Sequence, residues 1–281
     1  MTLQWYPGQM AKARLYLKKM LRLIDLVVEL RDARIPESSK NPEIDQLVGG
    51  KPRLVILNKE DLADQELTAL WLKHYKKRGM DALSLSTLER QGGMRKVTAI
   101  IRSRKKKRQA RFQGTRPLRI MVVGIPNVGK STFINRLSGR RAVQTGDRPG
   151  ITRGEQWVRL ARDIELLDTI GLLWPKFDSP EVAFKLAVTG AIKYELLDDY
   201  ALALKLLDYL REQAPGSLSA RYGLTGLEEA TGEELLLRIG AARGALKKGG
   251  EAEAERGAEI LLVDFRQGKL GNFTLDAPPL T

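Results

Sequence analysis

Short apolar runs alternate with stretches of helical apolar spacing through the first 175 residues of the chain. The runs are rich in leucine and β-branched residues, and four of them predict strands at Leu23–Arg34, Pro52–Asn58, Asp81–Ser86 and Leu118–Gly124. The helical spacing predicts helices at Gln9–Arg22, Asp64–Arg78, Met94–Lys106 and Lys130–Ser138. Strands and helices in alternation are typical of an α/β fold with a mostly parallel sheet.

A predicted hairpin, Glu155–Ala161 followed by Asp163–Asp168, closes this part of the chain. Beyond it the apolar spacing becomes helical only, and it predicts helical stretches at Glu181–Arg211, Gly232–Leu246 and Glu253–Arg266. Pro215-Gly216 and Gly249-Gly250 are predicted breaks between them. The pattern therefore predicts an α/β domain over residues 1–176 and an all-helical domain over residues 177–281.

The amino-acid composition excludes several kinds of metal site and catalytic group. The chain has no cysteine, which excludes disulfides, thiolate metal sites and a cysteine nucleophile, and its one histidine excludes a histidine-rich metal site. No apolar run reaches the length of a membrane span, and the N-terminal sequence lacks the apolar core of a signal peptide. A cytoplasmic protein without a membrane partner is expected.

The net charge of +14 lies on one part of the chain. Residues 1–175 carry 35 basic and 17 acidic residues, whereas residues 176–281 carry 13 and 17. The densest basic run, Arg102–Arg111, has seven basic residues in ten positions and belongs to a predicted linker, residues 102–117. An imbalance of this size favours a polyanion, either nucleic acid or anionic lipid, as the partner of the first domain.

The motif GIPNVGKS, from Gly124 to Ser131, matches the phosphate-binding loop of nucleotide hydrolases. It follows a predicted strand and precedes a predicted helix, which is the context that this loop requires, because its backbone N–H groups surround the phosphates at a helix N-terminus. Lys130 is the predicted ligand of the β- and γ-phosphates and Ser131 the predicted ligand of Mg²⁺.

Two further segments are predicted to sense the γ-phosphate. Asp168 and Gly171 form an Asp-x-x-Gly pattern at the end of a predicted strand, with Asp168 near Mg²⁺ and the Gly171 N–H on the γ-phosphate. The polar segment TGDRPGITRGEQW between the phosphate loop and this pattern predicts a switch, and its Thr152 is a candidate Mg²⁺ ligand.

The motif NKED, Asn58 to Asp61, predicts a guanine-reading loop. Guanine offers two neighbouring donors, N1–H and the N2 amine, to one carboxylate, and Asp61 fits that role with Asn58 and Lys59 beside it. Ser86 and Thr87 end the next predicted strand, where a second base-binding loop is expected. The predicted GTP site comprises Asn58, Lys59, Asp61, Ser86, Thr87, Asn127, Val128, Gly129, Lys130, Ser131, Thr132 and Gly171.

The order of these motifs is unusual, because the phosphate loop begins 66 residues after Asn58 instead of preceding the guanine loop. A cyclic shift of the common GTPase order explains this arrangement, since chain ends at a domain surface can be joined and the chain opened elsewhere. In that interpretation the basic segment, residues 102–117, joins the old ends.

The motifs WYPGQMAKA, DARIP, NKED, GIPNVGKS, TGDRPGIT and LLDTIGLLWPKF together resemble those of the bacterial ribosome biogenesis GTPase A family, among the circularly permuted GTPases. The resemblance covers essentially the whole chain. It implies a monomeric GTPase, slow alone and stimulated by the ribosomal subunit, that binds the maturing large ribosomal subunit and its rRNA through both domains. It also implies K⁺ assistance through Asn127, with GTP as substrate and GDP as product.

The sequence departs from the family pattern at Gln9 and at Ile170, which replaces the proline of Asp-Thr-Pro-Gly, and the catalytic residue stays open. Gln9 stands where the family carries a histidine, so that Gln9 either orients the attacking water or is only a turn residue after Pro7-Gly8. Leu172 follows Gly171 where many GTPases carry glutamine, which favours an alternative function, a GTP-regulated RNA-binding module with negligible turnover. A membrane-associated GTPase that binds anionic lipid is a third hypothesis, disfavoured by the lack of a basic amphipathic helix with aromatic anchors.

Overall fold

The protein is described by a computed structural model that covers residues 15–88, 93–111, 116–139, 156–168, 179–192, 198–245 and 253–279, without the side chains of residues 107–111, 156 and 168. The chain divides into two compact units. Unit 1 comprises Met1–Phe177 together with Thr274–Thr281, and unit 2 comprises Asp178–Phe273.

Unit 1 contains a six-stranded sheet in the order β3-β2-β1-β4-β6-β5. The strands are β1 (Leu26–Asp32), β2 (Arg53–Asn58), β3 (Asp81–Leu85), β4 (Leu118–Gly124), β5 (Gln156–Ala161) and β6 (Ile164–Asp168). All neighbouring pairs are parallel except β5 with β6, which form an antiparallel hairpin. The predicted α/β class with a mostly parallel sheet is confirmed.

The centre of the sheet explains why its strands read as continuous apolar runs. All seven residues of β1 are buried, and β1 lies between β2 and β4. Strands covered on both faces do not alternate in polarity. In the register, Asp32 lies beside Asn58 and Leu30 lies beside Gly124, so that the carboxyl ends of three strands meet at one edge.

The helices of unit 1 are α1 (residues 15–21 of its described part), α2 (Pro42–Val48), α3 (Gln65–Lys77), α4 (Gly93–Arg111) and α5 (Lys130–Ser138). Helix α3 begins after Asp64, whose side chain accepts a hydrogen bond from the Leu67 N–H. Helix α2 was not predicted. Helix α4 continues through the first ten residues of the predicted linker, because Arg, Lys, Gln and Ala favour helix and neither glycine nor proline interrupts them.

In the described part of unit 2 every regular element is a helix: α6 (Pro180–Val188), α7 (Asp199–Gln213), α8 (Pro215–Tyr222), α9 (Gly232–Ala242) and α10 (Ala254–Arg266). Helices α9 and α10 approach closely at Gly257, where an added Cβ would lie 1.9 Å from the Leu236 carbonyl oxygen. The predicted break at Pro215 is instead the start of α8, since proline suits the first position of a helix.

Residues after Phe273 return to unit 1, which differs from the predicted boundary that kept the chain end in the helical domain. We call residues 274–279 the tail. Among the described residues, no helix has the length and apolar character that a membrane crossing requires.

Candidate nucleotide-binding site

The phosphate loop lies between the end of β4 and the start of α5. Asn127 and Gly129 both have positive φ angles, 55° and 98°. A Cβ at Gly129 would lie 2.4 Å from the Asn58 side-chain nitrogen, so both the backbone angle and the space require glycine there. The buried Lys130 ammonium donates to the Ile125 carbonyl oxygen at 2.7 Å, which holds it within the loop.

Asn58 connects three predicted parts of the site. Its side-chain nitrogen donates to the Val128 carbonyl oxygen in the phosphate loop at 2.7 Å. Its side-chain oxygen accepts from the Thr87 N–H in the second base loop at 3.1 Å. Asn58 is 1% exposed, so these bonds are shielded from competing water. The guanine loop, residues 58–64, is thereby tied to the loop that is predicted to bind phosphate.

Asp61 lies in the short 3₁₀ helix Glu60–Leu62, which begins after Lys59 in a left-handed conformation with φ 62°. One carboxylate oxygen of Asp61, Oδ1, is buried and accepts no hydrogen bond from the described residues. A buried acceptor without a donor is costly, by about 1–3 kcal/mol. A ligand that donates N–H groups would remove that cost.

A buried ion-pair cluster supports the guanine loop. The Asp32 carboxylate accepts from the Arg34 guanidinium at 2.9 and 2.7 Å and lies 3.0 Å from the Lys59 ammonium. Burial would raise the pKa of Asp32, but the charges and hydrogen bonds of Arg34 and Lys59 outweigh it and hold this pKa well below its usual range. Asp32 is therefore a charged partner of Lys59 at neutral pH.

The second base loop follows β3. Ser86 and Thr87 are both buried, and the Ser86 hydroxyl accepts from the Leu88 N–H at 3.3 Å. Arg136 on α5 donates to the Leu88 carbonyl oxygen at 2.8 Å. Sequence reasoning assigned no role to Arg136 or Asp32. The DARIP motif begins at Asp32, the last residue of β1. The pairing of β1 with β2 was the signal that could have placed Asp32 beside the guanine loop.

The predicted metal ligands are described only in part. Ser131 and Thr132 occupy the first turn of α5, and the backbone of Asp168 ends β6 beside Val122 of β4. Both segments therefore lead to the edge of the sheet that carries the phosphate loop. Hydroxyl and carboxylate oxygens suit Mg²⁺. Gln9, Thr152 and Gly171 and the Asp168 side chain lie outside the described residues.

The comparisons with known proteins extend over both units. The family model described as 50S ribosome-binding GTPase matches residues 119–216. The chain is 45% identical to ribosome biogenesis GTPase A of Priestia megaterium over 286 residues, which cover 99% of this chain and 98% of that protein. It is 33% identical to ribosome biogenesis GTPase A of Thermotoga maritima, with coverage of 98% and 95%.

Two solved structures are similar to this one. GNP-bound YlqF from T. maritima has a TM-score of 0.63 and 29% identity, and the match covers 95% of this chain and 98% of that chain. A GDP-bound TM YlqF structure has the same TM-score and identity, with coverage of 94% and 99%.

Proposed function

Because this chain belongs to the ribosome biogenesis GTPase A family, we propose that it binds the maturing large ribosomal subunit and hydrolyses GTP to GDP and phosphate during late assembly. The observation that carries this proposal is the buried, unsatisfied Oδ1 of Asp61, in a loop that Asn58 ties to the phosphate loop. This unsatisfied acceptor supports the binding of a base that has two neighbouring N–H donors, next to phosphates bound in the phosphate loop.

Guanine is the base that fits this acceptor. Its N1–H and N2 amine face the same direction and pair with the two oxygens of one carboxylate. Adenine offers one amine beside a ring acceptor, so one oxygen of Asp61 would face a lone pair. Selection for guanine then follows from the carboxylate itself. Lys59 lies in the guanine loop and Thr87 lies in the second base loop.

The phosphates would lie in the loop from Gly124 to Ser131. Lys130 would bind the β- and γ-phosphate oxygens and Ser131 would hold Mg²⁺, with Thr152 and Asp168 as its further ligands. Mg²⁺, when bound, neutralises charge on the phosphates as the γ-phosphate leaves. Asn127 would assist GTP hydrolysis by binding K⁺. Gln9 would orient the attacking water, and the Gly171 N–H would bind the γ-phosphate.

The basic helix α4 is the proposed rRNA-binding surface of unit 1. Arg104 and Lys105 are ion-paired to Asp81 and Asp163 and so anchor the helix to its own unit. Arg102 and Lys106 are exposed. Cations held along a helix bind phosphate without reading sequence, which suits a structured rRNA. We further propose that the motif order reflects a circular permutation, and that the protein acts as a cytoplasmic monomer.

Asp61→Asn tests the guanine assignment. The amide replaces one acceptor by a donor that faces a guanine N–H, so GTP affinity should fall by about 2–4 kcal/mol. Affinity for xanthosine triphosphate should rise, because its 2-carbonyl accepts from the new amide. Asp64→Asn is the matched control, since asparagine caps α3 as well as aspartate does. Equal GTP affinity in both variants contradicts the assignment.

GTP turnover with and without large ribosomal subunits, in K⁺ and in Na⁺, tests the rest of the proposal. Faster turnover with subunits is expected, with a further gain in K⁺. Subunit binding without faster turnover supports the alternative, a nucleotide-regulated RNA-binding module. Turnover that does not respond to subunits, together with no subunit binding, contradicts both.

A further inference from the structure

The tail is anchored to unit 1 by Asp276. Its carboxylate accepts hydrogen bonds from the backbone N–H groups of Glu37 and Ser38 at 3.0 and 2.7 Å, and from the Ser38 hydroxyl at 2.9 Å. The Asp276 carbonyl oxygen accepts from the buried Trp71 indole at 2.8 Å. Asp276 is 6% exposed, so this anchor is shielded from water.

A second anchor, Thr274, reaches the guanine loop directly. Its hydroxyl oxygen accepts from the Asp64 N–H at 3.1 Å, at the last residue of that loop, and donates to the Ala33 carbonyl oxygen at 3.3 Å. The neighbouring Leu275 N–H donates to the Arg34 carbonyl oxygen at 2.7 Å. One hydroxyl therefore bridges the guanine loop and the segment that follows β1, residues 33–39, which we call the β1 loop.

The β1 loop and the guanine loop are also joined to each other. The Ala33 N–H donates to the Asn58 carbonyl oxygen at 2.8 Å, and Asp32 pairs with Lys59. These contacts hold the start of the guanine loop, and Thr274 holds its end. The proposed base ligand, Asp61, lies between the two fixed points.

We propose that Thr274 and Asp276 are positioning residues for guanine-nucleotide binding, and that the tail sets the rate at which the nucleotide is released. The inference rests on the proposed function of Asp61. A loop that is ordered before the ligand arrives binds more tightly, because less conformational freedom is lost on binding. Lys59 has a left-handed backbone conformation, which is unfavourable for a residue other than glycine. The guanine loop therefore needs contacts from other segments to keep its conformation.

The tail begins directly after unit 2 in the sequence. Phe273, the last residue of unit 2, stacks on Phe265 of α10 with ring centroids 5.5 Å apart. The next residue, Thr274, is bonded to the guanine loop.

Thr274→Val removes the hydroxyl and keeps the side-chain volume. We expect release of a fluorescent GDP analogue to become about 3- to 30-fold faster, the effect of leaving the Asp64 N–H without its acceptor. The single-turnover rate of GTP hydrolysis should stay within about twofold, because no reacting group is touched and this rate does not include GDP release. Thr274→Ser restores the hydroxyl and should restore the release rate.

Thr189→Val is the matched control, because it removes a buried hydroxyl that donates to the Lys185 carbonyl oxygen within unit 2. It should release GDP at the parent's rate. Asp276→Ala is an independent test of the tail, and it should speed release and increase amide hydrogen exchange in residues 33–39 and 58–64. A merely stabilising tail would move the melting temperature and leave release and local exchange in the folded protein unchanged.

The outcomes separate this inference from the proposed function. If the parent binds GDP and both tail variants release it at the parent's rate, the positioning role is overturned and the guanine site stands. If the parent binds no guanine nucleotide, the proposed function fails and the positioning role fails with it. Faster release in both tail variants, with rescue by Thr274→Ser, supports the role.

Discussion

Asp32→Asn should destabilise unit 1 far more than its small change in shape suggests. The side chain of Asp32 is 1% exposed and that of Arg34 is 2% exposed, and the substitution removes the carboxylate with which both the Arg34 and the Lys59 cations pair. At separations of 2.7 and 3.0 Å and an effective dielectric constant of about 20, each attraction is worth roughly 5–6 kcal/mol before desolvation. Removing one partner of such a buried cluster typically costs about 3–5 kcal/mol.

This loss of stability can be measured as a decrease in the melting temperature. For a unit of this size, about 3–5 kcal/mol lowers the melting temperature by roughly 6–20 °C. Asp45→Asn is the matched control, because Asp45 also pairs with two cations, Lys40 and Arg53, but its side chain is 40% exposed. Exposed pairs contribute about 0–1 kcal/mol. Calorimetry at pH 7 should therefore separate the two variants, and equal shifts would refute the reasoning.

The same carboxylate predicts a pH dependence. The pKa of Asp32 in the folded protein lies below its ordinary value of 3.8, because Arg34 and Lys59 outweigh the opposing effect of burial. A carboxylate with a lowered pKa stabilises the fold fully above its unfolded pKa, and this contribution is lost as the pH falls toward the folded pKa. The stability difference between the parent and Asp32→Asn should stay constant from pH 6 to 8 and narrow in acid.

Three further predictions concern other parts of the molecule. Lys130→Ala should abolish tight GTP binding and leave the circular dichroism spectrum unchanged, since the ammonium is the proposed phosphate ligand; normal GTP affinity would contradict the phosphate-loop assignment. Gly257→Ala should destabilise unit 2 by about 1–3 kcal/mol or more in denaturant unfolding, because its Cβ would meet the Leu236 carbonyl oxygen. Arg102→Glu with Lys106→Glu should weaken subunit binding and reduce its salt dependence; an unchanged salt slope would place the contact elsewhere.

Much of unit 1 could be predicted because its signals are local. β4 and α5 have the predicted bounds, Leu118–Gly124 and Lys130–Ser138. A buried apolar strand and the glycine-rich turn that follows it mark these bounds clearly in the sequence. Helices α2 and α8 were missed because each is only seven or eight residues long and begins with proline, which resembles a turn in sequence. The predicted single stretch Glu181–Arg211 contains two separate helices, α6 and α7.

The site was partly predictable for a topological reason. Parallel strands bring their carboxyl ends to one edge, so motifs at the ends of β2, β3 and β4 were expected to meet, and the bonds of Asn58 join these loops. The contact of Asp64 with Thr274 spans 210 positions and follows from no local pattern. The pairing of Asp32 with Lys59 and the contacts of the tail join positions far apart in sequence, which is why sequence reasoning gave these residues no role.

The return of the tail to unit 1 has a consequence for how the protein is made. A ribosome synthesises the chain from its N-terminus, so the sheet and every helix of unit 2 leave the ribosome before Thr274 and Asp276 do. Until these two residues are made, the guanine loop lacks the hydroxyl that accepts from the Asp64 N–H, and the β1 loop lacks the carboxylate that accepts from the Glu37 and Ser38 N–H groups. If the tail positions the guanine loop as proposed, a nascent chain that lacks Thr274 and Asp276 binds guanine nucleotide more weakly than a chain that contains them.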